Sequence, residues 1–240
     1  MTAVKICGIT SLDDALNAIK YGASYLGFIF ARESPRYIEP DKARNIIDGL
    51  RIGDGLSTGD CLGSGDCLGT GDGLSPACKT VAVFKNEPEE SLAQIVATLK
   101  PDLIQLHGEE SLQYCRRRSH AIIKTIEIKD DMSAQSLSAQ IDRYRAVSQF
   151  LLFDRPKNVA CDLWLPGAIR MLTEQMNVPS FFFAGGLTAD NVAFAVDALR
   201  PVAVDVASGV ESTPGKKDII KLKNFCDAVK NTEETKARLS

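Results

Sequence analysis

Lys5-Ile6-Cys7-Gly8-Ile9-Thr10 reads as the end of a short strand passing into a helix. Val4 and Ile6 alternate with Lys5 and Cys7, the period of a strand. Gly8 breaks that pattern, and Thr10 or Ser11 is placed to cap the helix that follows. Cys7 is then the last strand residue before a βα loop, with its thiol on the same face as the Lys5 side chain. In a parallel α/β barrel that position is the floor of the mouth. A thiol there accepts a proton only when it is ionised, which for a free cysteine happens near ~8.5. Lys5, on the same face, is placed to lower that value. The plainer alternative is a small buried hydrophobe, the common role of a free cysteine.

Outward from this stretch, strand and helix patterns alternate along the chain. Helical spacing runs through Leu12, Ala15, Leu16 and Ile19 to Gly22, then Tyr25-Leu26-Gly27-Phe28-Ile29-Phe30 is apolar like a strand covered on both faces. Ser34-Pro35-Arg36-Tyr37 is a loop, and Pro40 opens a second helix reaching about residue 50. Further strands are expected at 80–84, 103–106, 121–128, 150–153, 179–184 and 202–206. The helices between and after them fall at 88–99, 109–118, 134–147, 165–176, 188–199 and 217–229.

Residues 53–76 are different material: four hexads reading GDGLST, GDCLGS, GDCLGT and GDGLSP. They carry too little apolar bulk to offset the entropy of ordering, so a disordered insertion is expected. A hexapeptide β-helix would need bulkier rungs. A Ca²⁺-binding repeat is conceivable from the Asp residues, and Cys61 and Cys67 are spaced as conceivable metal ligands.

Eight βα units point to an α/β protein with a (β/α)8 TIM barrel, in one domain spanning residues 1–230. The hexads interrupt it between the second helix and the third strand, and 231–240 reads as a polar tail. A doubly wound open sheet would usually carry G-x-G-x-x-G after its first strand, which is missing.

The chain has 240 residues, 45% hydrophobic and 25% charged, with a net charge of −3. Such a balance gives no pull towards nucleic acid or acidic membranes. No signal peptide and no membrane span is expected. The seven cysteines form no C-x-x-C pair and are joined by two histidines. That disfavours a disulfide framework or zinc site and favours a reducing, cytoplasmic setting.

In such a barrel only strand C-termini and βα loops face the site. The candidates are Cys7, Arg36, His107, Asp154, Gly185, Gly186, Asp205, Ser208 and Gly209. Each has a bland reading as well: Asp154 as a turn starter, His107 as a loop hydrogen-bonder, Arg36 as a surface charge. Glycine pairs after strands seven and eight are harder to dismiss, because those loops commonly cradle phosphate through backbone N–H groups. Cys7 and Asp154 should face one another across the mouth, which suits a proton-transfer isomerisation of an anchored sugar phosphate.

These residues resemble one family, phosphoribosylanthranilate isomerase of tryptophan biosynthesis. The matching pieces are Lys5 to Thr10, Gly27-Phe28-Ile29-Phe30, Ser34-Pro35-Arg36, Val83-Phe84 and Gln105-Leu106-His107-Gly108. Phe183-Ala184-Gly185-Gly186-Leu187 and the run Asp205 to Gly215, with Ser208-Gly209-Val210-Glu211, complete the series in family order.

The resemblance implies an Amadori rearrangement of N-(5-phosphoribosyl)anthranilate on a monomer or homodimer, with no cofactor and no metal. Cys7 matches the general base for the C2′ proton and Asp154 the general acid for the ring oxygen. Arg36 matches the arginine that meets the anthranilate carboxylate. His107 and Asp205 match substrate-binding positions, with Asp205 near the sugar hydroxyls. After strand six the family carries Gly-Gly-Thr-Gly before Phe-Asp-Trp. Here Arg155 to Leu163 contains no glycine, Trp164 keeps its place, and Lys157 offers a point charge. A related barrel isomerase of the histidine pathway would place aspartates after strands one and five, and Cys7 stands at the first. The glycine-free loop would also fit a barrel retained only for binding.

Overall fold

The structure, a computed structural model, describes residues 1–53, 78–129, 132–155, 174, 178 and 180–239. Its strands are β1 (Ala3–Cys7), β2 (Tyr25–Ile29), β3 (Lys79–Phe84), β4 (Leu103–Leu106), β5 (Ala121–Glu127), β6 (Phe150–Asp154), β7 (Phe181–Ala184) and β8 (Ala203–Val206). They pair in chain order and close as a barrel. Closure sets β1 parallel to β8, Lys5 opposite Asp205 and Ile6 opposite Val206. The (β/α)8 architecture expected from the alternation is the one observed.

Strand alternation divides the side chains into two layers. Val4, Ile6, Leu26, Phe28, Phe84, Phe153 and Phe183 pack outward against the helices. Cys7, Val81, Val83, Leu103, Ile123, Leu152 and Phe182 point into the barrel. Phe182 meets the edges of Tyr25 and Phe150 at centroid distances of 5.1 and 5.3 Å, which fills the interior below the mouth. The inward polar residues Lys5, Gln105, Thr125 and Asp205 are all buried.

Among the described residues the α-helices are α1 (Leu12–Lys20), α2 (Pro40–Gly53), α3 (Glu89–Leu99), α4 (Leu112–Arg116), α5 (Ala134–Arg145), α6 (Val192–Leu199) and α7 (Ile219–Leu239). Ser11, Ser111 and Ser133 cap three of them, each accepting from the backbone N–H three residues on. Such a cap contributes about 1 kcal/mol.

Several boundaries differ from the sequence reading: α6 begins at Val192 rather than 188, α4 ends at Arg116 rather than 118, and α5 ends at Arg145 rather than 147. α4 starts later than residue 109, because the Glu109 N–H is drawn to Asn86 Oδ1 and Glu110 turns back onto the Gly108 N–H. A short hairpin, β9 (Glu211–Thr213) with β10 (Lys216–Lys217), precedes the last helix. That helix then runs on through 231–239, where a polar tail was expected. No Gly or Pro breaks it there, and Glu233 ties it to the N-terminus by accepting from Thr2 Oγ1 at 3.0 Å. The hexads beyond Gly53, the loop after Arg155 with Lys157 and Trp164, and the helix expected over 165–176 (Glu174 apart) lie outside the described residues.

Candidate active site

A cavity of about 190 Å³ opens at the C-terminal end of the barrel. Cys7, Arg36, His107, Asp154 and Asp205 all line it, as do Gly185, Gly186, Ser208 and Gly209. All nine strand-end and loop candidates from the sequence are thus brought to one place. A larger, more open hollow of about 700 Å³ lies beside α1 and β10 and contains none of them.

Cys7 ends β1, and the N–H groups of Gly8 and Ile9 both donate to the Gly27 carbonyl, at 2.9 and 3.0 Å. Gly8 adopts φ +74°, a conformation that suits glycine. Below the thiol, the Lys5 ammonium donates to Asp205 Oδ1 at 2.9 Å. Burial pushes the Cys7 thiol above its ordinary value; Lys5 and Lys217 pull it down, and Asp205 pushes it up. Lys5 therefore acts in the direction the sequence implies, but the net shift is upward. Desolvation of a thiolate in an apolar wall outweighs two nearby ammonium groups.

Asp154 ends β6, with Oδ2 3.3 Å from His107 Nε2. His107 Nδ1 lies 3.3 Å from the Gln105 amide, which also donates to Thr125 Oγ1 at 3.2 Å. The His107 loop is braced from outside the barrel by Lys124. Its ammonium donates to the Leu106 and Gly108 carbonyls at 3.1 and 2.6 Å and to Glu110 Oε2 at 2.9 Å.

Arg36 crosses over Gly8, where an added Cβ would lie 2.6 Å from Arg36 Cδ. Its Nε and Nη2 donate to Glu211 Oε1 and Oε2 at 2.8 and 2.6 Å. Lys217 donates to the same carboxylate at 3.0 Å and to the Cys7 carbonyl at 2.6 Å. Burial pushes Glu211 up, yet Arg36 and Lys217 outweigh it and hold the carboxyl below its usual value. Burial likewise brings Lys217 below the usual lysine value, against the opposing pull of Glu211.

Gly185 and Gly186 have φ +99° and +61°. Their carbonyls are drawn back from the mouth: Arg155 Nε donates to Gly185 O at 2.6 Å, and Asn191 Nδ2 to Gly186 O at 3.0 Å. Among the described residues no hydrogen bond takes the N–H of either glycine. A Cβ on Gly209 would come 1.9 Å from the Leu187 carbonyl oxygen, so loops seven and eight are packed against each other. Backbone N–H groups without a partner among the described residues can hold an anion. Among the described residues no group of three or more His, Cys, Asp or Glu could hold a metal ion.

Sequence reasoning gave no role to Glu211, Lys217 or the Glu110–Lys124 pair. Lys124 carried a signal, as a lysine inside the apolar run Ile122 to Ile126. Glu211 stood in the Ser208-Gly209-Val210-Glu211 pattern without a partner to identify its task.

Residues 74–228 match the family model for N-(5′-phosphoribosyl)anthranilate isomerase. The isomerase of that name from Pelobacter propionicus is 35% identical over 99% of this chain and 100% of its own length. The one from Geobacter metallireducens is 36% identical over 94% of this chain and 97% of its own. Among solved structures, the Thermotoga maritima phosphoribosyl anthranilate isomerase superposes with a TM-score of 0.76 at 31% identity, covering 96% of this chain and 100% of that one. A phosphoribosyl anthranilate isomerase in complex with reduced 1-(o-carboxyphenylamino)-1-deoxyribulose 5-phosphate has a TM-score of 0.73 at 31% identity, with the same coverage.

Proposed function

This chain belongs to the N-(5′-phosphoribosyl)anthranilate isomerase family, and from that premise we infer how its barrel mouth divides the chemistry. It converts N-(5′-phosphoribosyl)anthranilate to 1-(2-carboxyphenylamino)-1-deoxy-D-ribulose 5-phosphate, an acid/base Amadori rearrangement in tryptophan biosynthesis.

The order of groups around the rim supports the assignment of roles. Asp154 sits on β6, the glycines follow β7 and β8, Cys7 ends β1, and Arg36 follows β2. A phosphate held on the Gly185-Gly186 and Ser208-Gly209 loops places its sugar between Asp154 and Cys7. The aryl carboxylate then extends past Cys7 towards Arg36. Asp154 donates a proton to the furanose ring oxygen as the C1′–O bond breaks. The nitrogen lone pair closes to an iminium, and the Cys7 thiolate takes the C2′ proton to give the enolamine, which tautomerises to the ketone. His107 orients Asp154, and Asp205 serves the sugar hydroxyls while it holds Lys5.

Every group invoked comes from one chain, so a monomer or a homodimer can act. A phosphorylated biosynthetic substrate suits the cytoplasm, and no helix among the described residues is long and apolar enough to cross a membrane.

The observation that carries these roles is the convergence of all nine candidates on one cavity. The test is kcat for Cys7→Ser and Asp154→Asn. Each variant should lose at least ~10²-fold with substrate affinity largely kept, since the anchors lie elsewhere. A folded Cys7→Ser enzyme within a few-fold of the parent would remove Cys7 from the mechanism. Rescue of a tryptophan auxotroph lacking this isomerase tests the alternative of a barrel retained only for binding.

A further inference from the structure

We propose that Glu211 is a positioning residue that sets Arg36 as an end-on receptor for the aryl carboxylate of the substrate, and so determines specificity for the carboxylated ring. The proposal rests on the reading of Arg36 as the carboxylate anchor.

A guanidinium is planar and carries five N–H donors in a fixed fork. Glu211 occupies the side edge, accepting from Nε at 2.8 Å and from Nη2 at 2.6 Å. What remains is the end edge: both hydrogens of Nη1 and the outer one of Nη2, the second of the two pairings that match a carboxylate bidentately. Arg36 lines the cavity, whereas Glu211 does not, so Glu211 acts through Arg36.

Glu211 is itself held. Lys217 donates to its Oε1 at 3.0 Å and the Gly215 N–H at 3.3 Å, both from the β9–β10 hairpin and its turn. Its carboxylate carries one negative charge against the two positive charges of Arg36 and Lys217, leaving one net positive charge at this side of the mouth. A receptor fixed in this way loses little freedom when the ligand arrives.

The experiment compares kcat/KM for the anthranilate-bearing substrate with that for the phosphoribosyl aniline lacking the carboxylate. The parent enzyme should prefer the former strongly. Glu211→Gln keeps the shape but loses the charge and one acceptor, and should cut the preference about tenfold or more. A merely structural role would lower both substrates alike and leave the ratio standing, which overturns the proposal. In an Arg36→Ala background, Glu211→Gln should have no further effect on the ratio; an undiminished additional loss also overturns it. If Arg36→Ala by itself leaves the ratio unchanged, the reading of Arg36 fails first and the proposal with it. Should Glu211→Gln not accumulate as folded protein, Arg36→Lys probes the same fork. Lysine keeps the charge but has no second edge, so full preference in that variant overturns the proposal.

Discussion

Lys5 and Asp205, 200 residues apart in sequence, meet inside the barrel with Nζ 2.9 Å from Oδ1, directly below the Cys7 thiol. Lys5→Met removes a charge that pulls Cys7 down and leaves burial and Asp205 both pushing it up. The limb of the rate–pH curve set by loss of the thiol proton should therefore move to higher pH. Turnover at pH 7 should fall about tenfold for each unit moved. An unpaired buried carboxylate also costs about 3–5 kcal/mol. A pH–rate profile on the purified variant checks this, and a limb that stays in place would uncouple Lys5 from Cys7.

Gly8 is under two constraints at once, a φ of +74° and the stem of Arg36 2.6 Å from where a Cβ would stand. Gly8→Ala should lose about 1–2 kcal/mol from the backbone conformation alone. Because the side chain displaced is Arg36, KM should rise by a larger factor than kcat falls. Steady-state kinetics separate the two, and an unchanged KM would mean that Arg36 is not held in place by this contact.

Lys124 and Glu110 form a buried pair that holds the backbone on either side of His107. Lys124→Met strands a buried carboxylate and should cost about 3–5 kcal/mol. Adding Glu110→Gln should restore part of that loss, giving a coupling of about 1 kcal/mol or more in a double-mutant cycle. Urea unfolding of the two single variants and the double variant measures it. Strict additivity would show that the pair does not act as one unit.

Burial pushes the thiols of Cys78 and Cys226 up to about 12, from an ordinary value of 9.0. In the unfolded chain both ionise first, so between pH 9 and 12 the native state binds more protons and stability falls as pH rises. Their stabilising contribution is complete below pH 9 and is lost towards pH 12, at about 1.4 kcal/mol per thiol per pH unit. Cys78→Ala with Cys226→Ala should flatten the alkaline fall in the urea midpoint. An equally steep fall in that variant would assign the alkaline loss to other groups.

How much of this was legible varies with the range of the interaction. The hydrophobic periodicity that marks β1 and β6 is local, and so is the Ser11 cap. The places of Cys7, His107, Asp154 and the paired glycines at strand ends followed from the same local patterns. Two of the boundaries that differed were decided by contacts from elsewhere. α4 is shortened by Asn86, which reaches across from the preceding unit, and α7 is held through residue 233 by the N-terminal Thr2.

The sequence by itself determined the alternation of strands and helices and the set of residues at the strand ends, because each depends on spacing over a few residues. Only the tertiary structure decided which charges neutralise which. Arg36 finds Glu211 175 residues away, Lys217 reaches the Cys7 carbonyl across 210, and the burial that wins over Lys5 at Cys7 comes from the whole inner wall. The physical reason is closure: setting β8 against β1 joins the two ends of the chain, and the desolvation this imposes depends on every strand at once.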